Sequence, residues 1–156
     1  MEDNELLEYR SRLIHRIQSA AQEFSDACRA VKDITKPVDG GGWNTHQLAA
    51  HTRDVHIHIY GMRVRRTVAE DRPVFPNFDN DAWNAGHYHA EEPLAKILDE
   101  FLADVRQMVP WLESLPPSAW SRPSRHELQG DSAMQAWVER VLAHIQEHLE
   151  TVQKAG

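Results

Sequence analysis

The sequence holds a single cysteine, Cys28, so no intrachain disulfide can form and the fold needs no oxidising compartment. It also lacks any excess of basic charge. Lysine and arginine number 17 against 24 acidic residues, a formal net charge of −7. Nucleic-acid affinity rests largely on neutralising phosphates, and an anionic bilayer attracts basic segments, so neither is an expected partner. No apolar run approaches the length of a membrane span. The first residues, MEDNELLEYR, are acidic and carry no apolar h-region, so they do not read as a secretory signal. Strand-like alternation, internal repeats and low-complexity tracts are missing too. The expectation is a cytoplasmic protein whose 156 residues form one domain, 1–156.

What is present is helical periodicity in four segments. The first runs from about Asn4 to Val31, with Leu6, Leu13, Ile17, Ala20, Phe24, Ala27 and Val31 on one stripe. Lys36-Pro37 and the run Gly40-Gly41-Gly42 then break the pattern. The second helix should start at Asn44, a good N-cap, with Gln47 placed to complete a capping box. Its seam reads Leu48, His51, Val55, His58, Met62, and Arg63, Arg65 and Arg66 suit the negative end of the helix dipole. From Glu70 to Ala90 the prolines, asparagines and Gly86 exclude a regular element, and so long a connection is expected to pack over one end of the molecule.

The third helix is expected from Glu91 to Leu115 on the seam Leu94, Leu98, Phe101, Val105, Met108, Leu112. Pro110 should kink it or end its regular part near Met108. The fourth should start near Asp131 or Ser132 and run on Met134, Val138, Val141, Ile145, His148 and Val152. Four such amphipathic helices predict an all-α, antiparallel four-helix bundle. The loops outside 70–90 are short enough to join antiparallel neighbours.

Histidine is abundant, ten in all, and several histidines replace apolar seam residues. His144 and His148 are four apart, so both rings point to one face of the fourth helix, the predicted core face. Burying two imidazoles is costly unless each nitrogen finds a partner. A metal ion satisfies both; hydrogen bonds or a wet seam edge are the plainer reading. A third imidazole from the second helix would leave an open coordination position of the kind catalytic zinc sites keep. His51 and His58 compete for that place. Two helical turns, about 11 Å, separate them, so one ion cannot easily take both, and periodicity alone does not choose.

The stretch Gly42-Trp43-Asn44-Thr45-His46-Gln47-Leu48-Ala49-Ala50-His51 resembles the helix-two signature of the DinB/YfiT-like superfamily. The stretch from Gly130-Asp131-Ser132 to His144-Ile145-Gln146-Glu147-His148-Leu149 resembles its helix-four signature. The resemblance implies the four-helix bundle, often as a homodimer. It implies a divalent metal held by His51, His144 and His148, with zinc expected and nickel or iron as alternatives. It selects His51 over His58. The family includes thiol-dependent transferases and isomerases, so the expected function is a metal-dependent hydrolase or thiol S-transferase acting on a small molecule. The low-molecular-weight thiol would be its cosubstrate. The alternative is a non-catalytic metal-binding stress-response protein.

Other residues admit both a functional and a plainer role. Asp54 could receive the free ring N–H of a ligand histidine, or simply face solvent. His87 and His89 could approach the metal end of the bundle, or stay on a surface loop. Arg63, Arg65 and Arg66 could meet an acidic cosubstrate; for at least two of them the helix-end role is preferred. Trp83 has the better claim among the tryptophans to line a pocket, Trp43 and Trp120 reading as packing at helix entrances. Cys28 reads as a small core residue. His15, His46, His56 and His126 carry no argument beyond surface or capping roles.

Overall fold

The structure, a computed structural model, describes residues 2–38 and 42–155. The expected break at Gly40 and Gly41 lies outside them. Helix α1 spans Glu2–Ala30. Its apolar stripe is buried from Leu13 onward, with Ile17, Ala20 and Phe24 at 0% exposure and Cys28 beside them equally buried, whereas Leu6, expected on the stripe, is exposed at 39% and Val31 lies just past the helix end. Helix α2, Thr45–Val55, opens on the predicted capping box. The Gln47 amide donates to Asn44 Oδ1 at 2.7 Å, and the Asn44 amide donates to Gln47 Oε1 at 2.9 Å. Two otherwise orphaned donors are thereby satisfied, so Asn44→Ala should cost about 1 kcal/mol. Urea denaturation reads that loss, and an unchanged midpoint would show the cap to be idle.

The rod continues without a break through a π-helical turn, His56–Tyr60, into α3, Gly61–Ala69. The extra residue in this turn changes the seam. Buried positions run Leu48, His51, Val55, Ile59 and then jump five residues to Val64. His58, expected in the seam, is exposed. A seam counted at α-helical spacing puts it inside; the widened turn delivers Ile59 instead.

The connection expected to be irregular is partly regular. It contains a short strand, β1 (Val74–Phe75), and helix α4 (Asn80–His87), which is capped by Asp79 accepting from the Ala82 amide. Helix α5, Leu94–Ser114, runs through Pro110 rather than stopping near Met108. The carbonyl that Pro110 leaves unpaired would be that of Arg106, an exposed residue, so water can take its place. A 3₁₀ turn, Pro117–Ser121, leads into two strands, β2 (Pro123–His126) and β3 (Gly130–Ala133). Helix α6 spans Met134–Ala155, so Asp131 and Ser132 belong to β3 and not to a helix start.

The strands were not expected. They form one sheet in the order β1-β2-β3, parallel between the first pair and antiparallel between the second. Their inward residues include Ser124 and His126, polar side chains that give no apolar alternation to read.

Four rods make the bundle, and its arrangement is not a simple up-and-down ring of neighbours. Helix α1 packs on α5 and α6, and the α2–α3 rod packs on the same two. The pairs joined outside the long connection, α1 with the α2–α3 rod and α5 with α6, therefore lie mainly across the diagonal, which corrects the expectation that short loops join neighbours, whereas the α2–α3 rod and α5, joined by the long connection, pack side by side. Phe24 and Phe101 meet edge-on at 5.8 Å in the centre. No helix among the described residues is long and apolar enough to cross a membrane.

Candidate metal centre

Helices α2 and α6 lie side by side, and their facing surfaces carry the histidines. His51 is fixed two turns into α2. His144 and His148 project from successive turns of α6. One nitrogen from each of the three lies within 4.8 Å of the others. The Nε2 atoms of His51 and His144 are 3.3 Å apart. Two nitrogens on one tetrahedral ion, each at about 2.0–2.1 Å, sit about 3.3–3.4 Å from each other, so this pair already has the required spacing. His51 and His144 are 9% exposed and His148 is half-buried, which leaves the cluster open on one side.

Burial, then the neighbouring His148, pushes the His51 imidazole down to about 4. Burial and the other two rings hold His144 well below its ordinary value, and burial lowers His148 as well. All three are therefore neutral at pH 7, the form that presents a lone pair to a cation. Three hydrogen-bonding rings packed in a core without such a partner would be expensive.

Two aromatic residues shape the cluster, and periodicity gave neither this role. Trp43 meets the His51 ring edge-on at 5.0 Å. Tyr60, in the π turn, meets His144 at 5.3 Å. The Trp before the cap was visible as packing, whereas Tyr60 arrives only through the widened turn.

The remaining candidates lie elsewhere. Asp54 accepts from Trp83 Nε1 at 3.1 Å and from Arg53 Nε at 2.9 Å, so its carboxylate is engaged away from the histidines. Trp83 packs against His58 of the π turn, 5.2 Å away, and stacks on His87 at 3.7 Å. His87 and His89 are exposed. Cys28 is buried, and burial pushes its thiol up to about 12, as befits a core residue. Arg65 pairs with Asp104 at 3.3 Å and Arg66 with Glu70 at 2.6 Å, the duller roles preferred for two of the three arginines.

Three histidines given surface or capping roles are buried instead. His46 Nδ1 lies 2.6 Å from Tyr88 Oη, and its Nε2 lies 2.6 Å from the Glu92 carbonyl. His56 Nε2 stands 2.8 Å from Asp104 Oδ2. His126 Nδ1 accepts from the Leu128 and Gln129 amides and closes the β2–β3 turn. His46 and His126 thus have hydrogen-bonding partners for a ring nitrogen, the condition for burying imidazole, and His56 has a carboxylate beside it. Arg53 was missed altogether. It joins Asp54, Glu92 and Glu100, and its guanidinium holds the Glu92 carboxyl down to about 2. With His46 it ties residues 88–92 across α2.

The molecule is thus a four-helix bundle carrying an open three-histidine cluster between two of its rods. The DinB superfamily model matches residues 14–152, and the chain belongs to that family. Among solved structures it is similar to YfiT from Bacillus subtilis, with a TM-score of 0.86 over 95% of this chain and 86% of that one, at 17% identity. That protein is described as a probable metal-dependent hydrolase with an unusual four-helix bundle topology. No protein of curated function matches the sequence.

Proposed function

We propose that the protein is a divalent-metal-dependent enzyme that hydrolyses a small molecule or transfers a low-molecular-weight thiol to it. His51, His144 and His148 are the proposed ligands, with zinc the first candidate and nickel or iron the alternatives. The observation that carries this reading is the openness of the cluster. Three imidazoles converge, one of them only half-buried, and no fourth His, Cys, Asp or Glu joins them among the described residues. Structural zinc sites are closed by four protein ligands, whereas catalytic sites keep a position free.

A bound divalent ion supplies positive charge that lowers the pKa of a water or thiol donor and provides a nucleophile at neutral pH. The chain's own residues do the preparatory part. Burial keeps the imidazoles unprotonated, the α6 helix fixes two of them one turn apart, and Trp43 and Tyr60 wall the donors against free solvent. The description of the Bacillus protein supports the hydrolytic branch, and the family resemblance supports the thiol branch and a homodimer.

The test starts from metal-free protein titrated with zinc, followed by ester, amide and thiol-transfer substrates with several cellular thiols. One zinc per chain and turnover in one series are expected. Loss of an outer partner of a metal ligand costs about 10–100-fold, so His148→Ala should lower turnover by more than that. Zinc uptake with no turnover in any series would favour the non-catalytic metal-binding reading. Equal rates in wild type and His148→Ala would remove the cluster from the chemistry.

A further inference from the structure

One turn of α6 before His144 stands Arg140, and Arg63 lies on α3. Among the described residues neither guanidinium has a carboxylate within ion-pair distance, although the other arginines of this rod, Arg53, Arg65 and Arg66, all do. Arg63 is 5% exposed, and its Nε has no hydrogen-bond partner. Among the described residues its guanidinium donates one hydrogen bond, from Nη2 to the Pro76 carbonyl at 3.0 Å. It is boxed by the rings of Trp137 at 4.9 Å, Phe75 at 5.7 Å and Tyr60 at 5.9 Å. Arg140 lies over the same Tyr60 ring at 5.6 Å and donates to its hydroxyl at 3.2 Å.

Aromatic faces offset part of the cost of burying a cation, but a second cation beside it adds to that cost. Burial lowers the Arg63 pKa, with Tyr60 working against the shift and Arg140 adding a smaller push in the same direction as burial. The same Tyr60 ring meets His144 edge-on, with centroids 5.3 Å apart.

We propose that Arg63, Arg140 and the Tyr60 hydroxyl form an oxyanion site, and that it holds the carboxylate or phosphate of the substrate while its reacting end lies at the histidine cluster. Guanidinium groups match both oxyanions with paired N–H donors. The Tyr60 oxygen already accepts from Arg140, so its own proton is free to be donated to the anion. The second half of the statement rests on the metal-enzyme reading above; the anion site itself does not.

The experiment uses metal-free protein, with inorganic phosphate and acetate as probes, followed by ¹⁵N NMR of the arginine Nε–H groups and by calorimetry. The Arg63 Nε–H signal should move on titration and the fully paired Arg53 signal should not. The anion bound more tightly identifies the substrate's charged group. Arg140→Gln should weaken binding of both probes at least tenfold, and Arg140→Lys by less, while a separate zinc titration of Arg140→Gln still reaches one ion per chain. Anion binding without zinc uptake would keep this site and remove the metal reading. An unmoved Arg63 signal, or equal anion affinity in wild type and Arg140→Gln, would show the two arginines to be structural cations only and overturn the proposal.

Discussion

Zinc added to the metal-free protein should raise its melting temperature by roughly 8–16 °C. A ligand that binds only the folded state stabilises it by about 4 kcal/mol at a thousandfold excess over its dissociation constant. For a chain of this size each kcal/mol moves the midpoint by about 2–4 °C. The expectation follows from the preset spacing of His51 and His144 and from the neutrality of all three rings. His144→Ala should lose most of the rise, and a chelator should reverse it in wild type. His58→Ala is the matched control: its ring is exposed on Trp83, so the full increment should remain. Equal shifts in His144→Ala and wild type would show that zinc binds somewhere other than the cluster.

The same burial sets a pH dependence for the metal-free protein. In the unfolded chain His51 takes up a proton near 6.5; in the folded protein it does so only near 4. Between those values the unfolded state binds more protons, so acid favours unfolding. The contribution of His51 is fully present above pH 6.5 and is lost as the pH falls to about 4, roughly 3 kcal/mol over the window. His144 and His148 are shifted in the same direction and add to the loss.

Much of this site was legible because it rests on local rules. A capping residue three before a glutamine fixed the start of α2, and a four-residue spacing put two imidazoles on one face of α6. The choice of His51 over His58 needed the family pattern, since counting alone admitted both. The reason lies in the π turn. One added residue turns the seam from Val55 through Ile59 to Val64, and no local composition distinguishes such a turn from an ordinary one. The small sheet was hidden for a different reason. In β2 the buried positions are Ser124 and His126, held by Trp137 Nε1 and by two backbone amides, so polarity and burial part company there, and β1 offers only the single buried Phe75. Helix α4 buries no side chain, and no apolar stripe announces it; its Asp79 cap was the available signal. The diagonal placement of α1 against the α2–α3 rod, and of α5 against α6, is a tertiary choice, open to any loop long enough to cross the bundle end.

Gly61→Ala should destabilise the protein by about 2–4 kcal/mol, although alanine is the better helix former in most settings. Gly61 has ordinary right-handed helical dihedrals, so the demand is for space rather than for a special conformation. A Cβ there would stand 2.5 Å from the His56 carbonyl oxygen, 3.0 Å from Arg65 Nη1 and 3.2 Å from Met108 Cε. The arginine tip can move. The His56 carbonyl cannot, because it accepts the Gly61 amide that closes the π turn. Relief would require returning to α-helical bonding, and removing one residue from the turn rotates everything after it by about 100°. Val64 and Thr67, both at 0% exposure, would leave the core, and Tyr60 would lose its place against His144. His51 precedes the turn, so zinc stoichiometry should stay at wild type even as the urea midpoint falls. Gly86→Ala provides the contrast, since nothing lies within 4 Å of a Cβ at that position in α4. It should be neutral or stabilising by up to about 1 kcal/mol. If Gly61→Ala unfolds at the same urea concentration as wild type, the π turn is not what seats this rod, and the placement of Tyr60 beside the histidines needs another cause.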